Sequence, residues 1–256
     1  MLWGASETMS DASFDYELSV VIPVHNSAPV LERTIERWKS YVDEQETQLL
    51  LVENGSTDSS WELARSLAND TEHVHFTLLQ SPKGMGNALR AGILRSSGRR
   101  ILLSADDLPF GFDDLEQAGK LSHEPAVIIG SKAHRDSQVA RGLARSVFTV
   151  GYRVMRFLVL GSRVGDTQGT ILADGRWLRD IAPGLDESGF LFTTQLVRVA
   201  EVQRLEIIEV PVTLYDEHDP NHSTVSWSDV VDMARGLSRV RQSAKRVARD
   251  TAGVKR

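Results

Sequence analysis

Short apolar-rich runs at residues 18–24, 49–52, 74–79 and 100–104 are separated by stretches with helical patterning at 29–41, 58–68 and 83–97. This alternation limits the fold more than any other feature. Strands joined by helices of roughly 10–15 residues require right-handed crossovers, hence a mainly parallel sheet with helices on both faces. The second half is less regular. Strands are expected at 126–130, 170–173 and 205–214, the last carrying Pro211. Helices are expected at 139–160, with Gly151 as a candidate break, and at 192–202 and 229–249. No repeat and no Pro/Gly/Ser linker divides the 256 residues, so the pattern predicts one α/β domain. Its first part should bind a nucleotide and its second an acceptor.

Composition narrows the classes further. With 41% hydrophobic and 25% charged residues the chain is an ordinary globular one, neither disordered nor collagenous. It has no cysteine, which excludes thiol nucleophiles and Cys-ligated zinc or iron–sulfur centres and fits a reducing cytosol. The apolar runs are far shorter than the roughly 20 residues of a spanning helix. Residues 1–16 are acidic, lack the layout of a signal peptide and read as a mobile tail. A net charge of −6 argues against general nucleic-acid binding. Residues 226–256, however, hold eight Lys or Arg against three Asp.

In open parallel sheets, ligands bind beyond the carboxyl ends of the strands. The residues there are Pro23-Val24-His25-Asn26, Glu53-Asn54-Gly55-Ser56 and Ala105-Asp106-Asp107. Neither a G-x-G-x-x-G fingerprint nor a P-loop is present, which disfavours nicotinamide dehydrogenases and P-loop ATPases. Asp106 and Asp107 offer adjacent hard oxygen ligands of the kind that suits Mg²⁺ or Mn²⁺. The alternative is an Asx turn that orients the loop. Asp113 with Glu116 reads as a helix cap and capping box. Lys83-Gly84-Met85-Gly86 opens a helix and is either an anion cradle or a plain turn. Lys132, Arg141 and Arg145 follow the fifth strand, as phosphate ligands or as solvated charges. His73 and His75 read as structural, and His25 could stack on a base. His218 and His222 lie in a polar loop with three acids, a further candidate phosphate or metal contact.

Taken in order, these segments resemble the inverting family 2 glycosyltransferases of GT-A fold, within them the dolichol-phosphate mannosyltransferase and polyprenyl-phosphate glycosyltransferase branch. The resemblance spans about residues 18–225. Its anchors are Val20-Val21-Ile22-Pro23-Val24-His25-Asn26, Val52-Glu53-Asn54-Gly55-Ser56-Thr57-Asp58, Lys83-Gly84-Met85-Gly86-Asn87-Ala88 and Ser104-Ala105-Asp106-Asp107-Leu108. They continue with Gly130-Ser131-Lys132, Asp166-Thr167-Gln168-Gly169 and Glu209-Val210-Pro211-Val212. The resemblance implies that Pro23, His25, Glu53 and Asn54 line a base and ribose pocket, with Lys83, Gly84 and Gly86 beside the nucleotide. Asp107, with Asp106 beside it, would hold the divalent cation on the donor diphosphate. Lys132, Arg141 and Arg145 would face donor and acceptor phosphates, and Asp166 and Gln168 the sugar. Residues 226–256 then form a basic amphipathic helix and tail appended to the transferase domain.

Several positions depart from the family pattern. Ser27 replaces a Glu, Glu53-Asn54 an Asp-Asp, and Ala105 the first aspartate of D-x-D. Pro109 replaces a further candidate ligand, and Gln195 stands where an acid is usual. Glu217 falls near the arginine that the lipid-phosphate branch uses for its acceptor. The expected reaction is sugar transfer from a nucleotide diphosphate sugar with inversion. The acceptor is a polyprenyl phosphate, which needs no base, or a hydroxyl, for which Asp166 is the best base and Asp186 or Glu187 the next. A scaffold that binds nucleotide sugar without turnover is the non-catalytic alternative. Two stretches mix arginines with apolar residues. Residues 139–160 carry Arg153 and Arg156, and the last helix carries Val230, Met233, Leu237, Val240, Ala244 and Val247 at three-four spacing. They suit peripheral contact with the cytoplasmic membrane face, or packing on the domain itself or on a second copy of the chain.

Overall fold

The computed structural model describes residues 14–42, 46–69, 75–139, 143–215 and 227–252. Among these described residues there are seven strands: β1 (Tyr16–Val24), β2 (Thr47–Glu53), β3 (His75–Gln80), β4 (Gly98–Leu103), β5 (Val127–Ser131), β6 (Thr170–Asp174) and β7 (Ile207–Pro211). They form one sheet in the order β3-β2-β1-β4-β6-β5-β7. Only β6 runs antiparallel, between β4 and β5. The helices are α1 (Ala28–Tyr41), α2 (Ser60–Asn69), α3 (Met85–Arg95), α4 (Asp113–Ala118), α5 (Leu143–Leu160), α6 (Gly175–Ile181), α7 (Leu191–Val202) and α8 (Trp227–Ala252).

The strands read as apolar runs because both faces of the sheet are covered. In β2 all seven residues are buried. Alternate residues serve opposite cores. Val20, Ile22, Leu49 and Leu51 meet Leu31, Ile35 and Trp38 of α1 and Leu115 of α4. Val21, Leu50, Val52 and Ile101 meet Leu89 and Ile93 of α3, Leu196 of α7 and Val247 of α8. Gly92 lets α3 lie on β1, since a Cβ there would overlap Val21 Cγ1.

Some expectations need correction. α5 runs unbroken through Gly151, because a single glycine weakens a helix without breaking it when the flanking residues pack. The Asp113–Glu116 capping box does not form. Asp113 is the first helical residue, and its Oδ2 accepts from the Thr213 amide at 2.8 Å. α6 and the 3₁₀ turn at Ala182–Gly184 were not anticipated. The apolar stripe of α8 is covered by its own domain: Leu237, Val240, Ala244 and Val247 are at most 2% exposed. Residues 1–13, His73, Arg141, Glu217, His218 and His222 lie outside the described residues, as do the side chains of Arg145 and Val230.

Candidate active site

Strand order reverses at β1, where the chain passes from β3 across to β4, and there a crevice opens. Pairing of β1 with β4 ends at Val21–Leu103, while pairing with β2 continues to Val24–Glu53. Val21 C=O accepts from the Ser104 amide and Val24 C=O from the Asn54 amide. Carbonyls and amides of a strand alternate sides, so the N–H that Pro23 lacks would point toward β4 just where β4 has ended. Proline is tolerated in a central strand there because no ladder bond is lost.

The crevice has a volume of about 650 Å³. One wall comes from the loops after β1, β2, β3 and β4, through Pro23, His25, Asn54, Lys83, Gly84, Ala105 and Asp106. The opposite wall brings Lys132, Gln168, Thr170, Gly189, Phe190 and Thr193. Glu53, Gly86, Asp107 and Asp166 adjoin lining residues in the chain or by hydrogen bond but are not themselves in the lining.

The first wall is laced by short polar side chains. Asn54 Nδ2 donates to Val24 O at 2.9 Å, and Asn54 Oδ1 accepts from the Gly84 amide at 3.2 Å. One side chain thus joins the loops after β1, β2 and β3. Glu53 accepts from the Ser56 amide and, at 3.4 Å, from Gln80 Nε2. Ser27 donates to Asp106 Oδ2. Burial pushes the Asp106 carboxyl above its ordinary range, although the Ser27 bond works against this. Asp107 is half-buried. His25 Nδ1 is buried and has no hydrogen-bond partner among the described residues.

The glycine turn before α3 is a seat for another loop. The amides of Gly86 and Asn87 both donate to Ser188 O, at 2.8 and 3.3 Å. A Cβ on Gly86 would overlap Glu187 O, and Gly84, at φ +127°, has Ser188 O in the place of its Cβ. These glycines are therefore needed for close approach of backbone to backbone. Lys83 still reaches the crevice beside them.

On the second wall, Asp166 Oδ2 accepts from the Lys132 amide at 3.1 Å and lies 3.9 Å from Lys132 Nζ. Lys132 Nζ also sits 5.4 Å from the Phe110 ring centroid. Gln168 Nε2 donates to Phe190 O and Thr194 Oγ1. Asp186 and Glu187 face α8 instead of the crevice. Burial tends to raise Asp186, but hydrogen bonds from Arg246 and Gln195 prevail and hold it below the usual range. Burial raises Glu187, with Arg239 at 3.5 Å as a partial offset. Gln195, fully buried, anchors this loop by donating to Asp186 and Ser243 and accepting from the Glu187 amide. Two residues that sequence reasoning did not assign as site residues, Arg156 and Glu209, hold the loop before β6. The available signal was a charge inside the apolar spacing of Tyr152, Met155, Val159 and Leu160.

The solved structure of glucosyl-3-phosphoglycerate synthase from Mycobacterium tuberculosis, in complex with Mn²⁺, uridine diphosphate and glucosyl-3-phosphoglycerate, has the same fold. Its TM-score is 0.61 at 19% identity over 90% of this chain and 80% of that one. Among curated relatives, a dolichyl-phosphate beta-glucosyltransferase of Trichomonas vaginalis is 27% identical over 86% of this chain and 69% of its own length. That of Saccharomyces cerevisiae is 25% identical over 88% and 74%. An undecaprenyl-phosphate 4-deoxy-4-formamido-L-arabinose transferase of Yersinia enterocolitica is 32% identical over 53% and 43%. The family model described as glycosyl transferase family 2 matches residues 19–180, more than half of the chain. With the α/β sheet, the crevice at its switch point and this match in agreement, the chain belongs to glycosyl transferase family 2.

Proposed function

We propose that the protein transfers a sugar, with inversion, from a nucleotide diphosphate sugar to a polyprenyl phosphate. The observation that carries this reading is the two-walled crevice at the β1–β4 switch point, with Asp106 on one side and Lys132 and Gln168 on the other. The dolichyl- and undecaprenyl-phosphate transferases among its relatives support the acceptor class.

His25 lines the crevice, where its ring would stack on the base, while Lys83 lies where a diphosphate would run. A divalent cation fits the far end of that path. The donors available are carboxylate oxygens, and the largely buried Asp106 carboxyl has a neutral hydroxyl, that of Ser27, as its side-chain hydrogen-bond partner. Among the described residues no group of three or more His, Asp or Glu is placed to hold a metal alone. Asp107 and Asp106 would therefore share the cation with donor phosphates. When bound, the cation neutralises the departing diphosphate.

Asp166 and Gln168 orient the sugar. Lys132 places positive charge where acceptor and donor phosphates must approach each other. An acceptor phosphate oxygen forms the bond to the anomeric carbon as the bond to the nucleotide diphosphate breaks. That oxygen is already anionic, so no base is required. Arg141 and Arg145 would add further cations on the acceptor side.

Membrane contact falls on α5 rather than α8. No described helix is long and apolar enough to cross a membrane. Val154, Phe157 and Leu158 share one face of α5 and are 52%, 52% and 73% exposed, with Arg153 and Arg163 exposed nearby. A face of this kind can rest in the head-group region and hold the chain where a lipid phosphate is presented.

A thermal-shift screen of nucleotide sugars with and without Mn²⁺ tests the donor half. A true donor at about 100 times its Kd should stabilise the fold by about 2.7 kcal/mol, and more with the metal. If no nucleotide sugar shifts the melting curve, the reading is wrong.

A further inference from the structure

The loop before β6 is gripped from two sides by opposite charges. Arg156, 2% exposed on α5, donates from Nη1 to Thr167 Oγ1 at 2.8 Å. From Nη2 it donates to the carbonyls of Val164 and Gly165. Among the described residues it has no ion-pair partner within 4 Å, and its Nε has no hydrogen-bond partner. On the other side Glu209 accepts from the Gly165 amide at 2.7 Å, the Asp166 amide at 3.0 Å and the Ser131 hydroxyl at 2.6 Å. The cation thus takes the carbonyls and the carboxylate takes the amides of one short segment. Peptide dipoles between them are aligned by both.

Nothing about packing alone calls for this. A buried charge without a counter-ion is costly, and an apolar side chain of similar volume would usually stabilise more. The arrangement is specific in direction, however. With its backbone held at Gly165 and Asp166, Asp166 turns its carboxylate to the Lys132 amide and to the Gln168 amide. A second relay runs from Arg156 through Thr167 Oγ1 to Thr194 Oγ1 at 2.9 Å, and Thr194 also receives Gln168 Nε2 and meets Tyr152 OH. Arg156 therefore reaches Asp166 and the crevice-lining Gln168 without itself lining the crevice.

We propose that Arg156 and Glu209 form a charge clamp that positions Asp166 and Gln168 for sugar transfer. They are positioning residues, and the proposal rests on the reading of the crevice as a transferase site. The donor wall does not depend on this clamp, because its loops are tied through Asn54 and Ser27.

The test compares Arg156→Met, Arg156→Lys, Glu209→Gln and Thr194→Val with wild type. Three readouts are used: uridine diphosphate binding with Mn²⁺, hydrogen exchange of the 163–169 segment, and kcat and KM for transfer to a short-chain polyprenyl phosphate. In Arg156→Met, nucleotide affinity should stay within about threefold of wild type. Exchange at Gly165, Asp166 and Gln168 should speed up about tenfold or more. The kcat should fall roughly 100-fold, as for a misplaced catalytic group, with little change in donor KM. Lysine should recover part of both. Glu209→Gln should move the same readouts, and Thr194→Val should do so more weakly. These two carry the test if Arg156→Met does not fold. Unchanged exchange and kcat in a folded variant, or lysine no better than methionine, overturns the clamp. If wild type transfers no sugar, the functional reading fails, and the exchange data alone decide the clamp.

Discussion

On the donor side of the crevice, the loops after β1, β2 and β3 are tied together by neutral or hydrogen-bonded side chains, chiefly Asn54, Ser27 and Ser60. On the acceptor side, the loop before β6 is tied by a buried arginine and a carboxylate. Sheet topology explains the contrast. The donor loops follow neighbouring parallel strands, whose ends arrive side by side by right-handed crossovers. Short polar side chains can span the gaps. The acceptor loop leads into β6, the antiparallel strand among the described residues, and is met by α5, which directly precedes it, and by α7 and β7, which follow later in the chain. Longer, charged side chains bridge them. A donor wall set by sheet geometry can stay constant while the acceptor wall is re-equipped.

The largest expected effect breaks the donor side. Asp107→Ala should abolish Mn²⁺-dependent nucleotide binding, weakening it about 1000-fold or more, a loss of about 4 kcal/mol. Asp106→Asn should cost less, since Ser27 already engages one of its oxygens. Titration calorimetry at several Mn²⁺ concentrations measures this, and equal metal dependence in all three proteins would remove the cation from this wall.

The seam between the walls comes next. Gly86→Ala puts a methyl group against Glu187 O and Phe192 Cβ. Overpacking there should cost about 1–3 kcal/mol in stability and loosen the 186–190 loop. Chemical denaturation should show the loss. A neutral substitution would mean that α3 and this loop are not coupled.

A third prediction uses pH. Asp114 is buried beneath the second wall, and burial raises its carboxyl from 3.8 to about 6, with the Leu115 amide acting the other way. The folded state therefore holds this proton more tightly than the unfolded chain. Its contribution to stability is complete below about pH 4 and is lost as pH rises through about 6, on the order of 3 kcal/mol in all. Asp114→Asn should be more stable than wild type at pH 7.5, with the gap closing by pH 4.5. A constant gap across that range would contradict the assignment.

The smallest effect concerns the outer face of α5. Replacing Phe157 and Leu158 by serine should weaken binding to anionic vesicles severalfold, while nucleotide binding and melting stay near wild type. Equal vesicle binding would leave that face without this role.

What was legible in the sequence follows the same division. The seven strands of the described residues could be read, because burial on both faces makes the central ones largely apolar, and so could the crevice loops that follow them directly. Pro23, His25, Asn54, Lys83 and Asp106 do meet in one wall. The roles of Arg156 and Glu209 were not legible, since their partners are backbone carbonyls, backbone amides and hydroxyls, which leave no complementary charge in the sequence. Gln195 stands out in sequence only as a missing acid, yet in the fold it joins α7, α8 and the 186–187 turn. The α8 stripe could suit a membrane equally well until α5, α6 and α7 were seen to cover it. α6 left a small signal, the Asp174 side chain that caps the Trp177 amide.

The most direct measurement follows a labelled sugar. With Mn²⁺ and the donor found by the thermal screen, wild-type protein should move the label onto a short-chain polyprenyl phosphate with inverted anomeric configuration. It should leave the corresponding polyprenol, which lacks the phosphate, unlabelled. Label on polyprenol or a soluble hydroxyl acceptor instead, label released only as free sugar, or retained configuration would contradict the account.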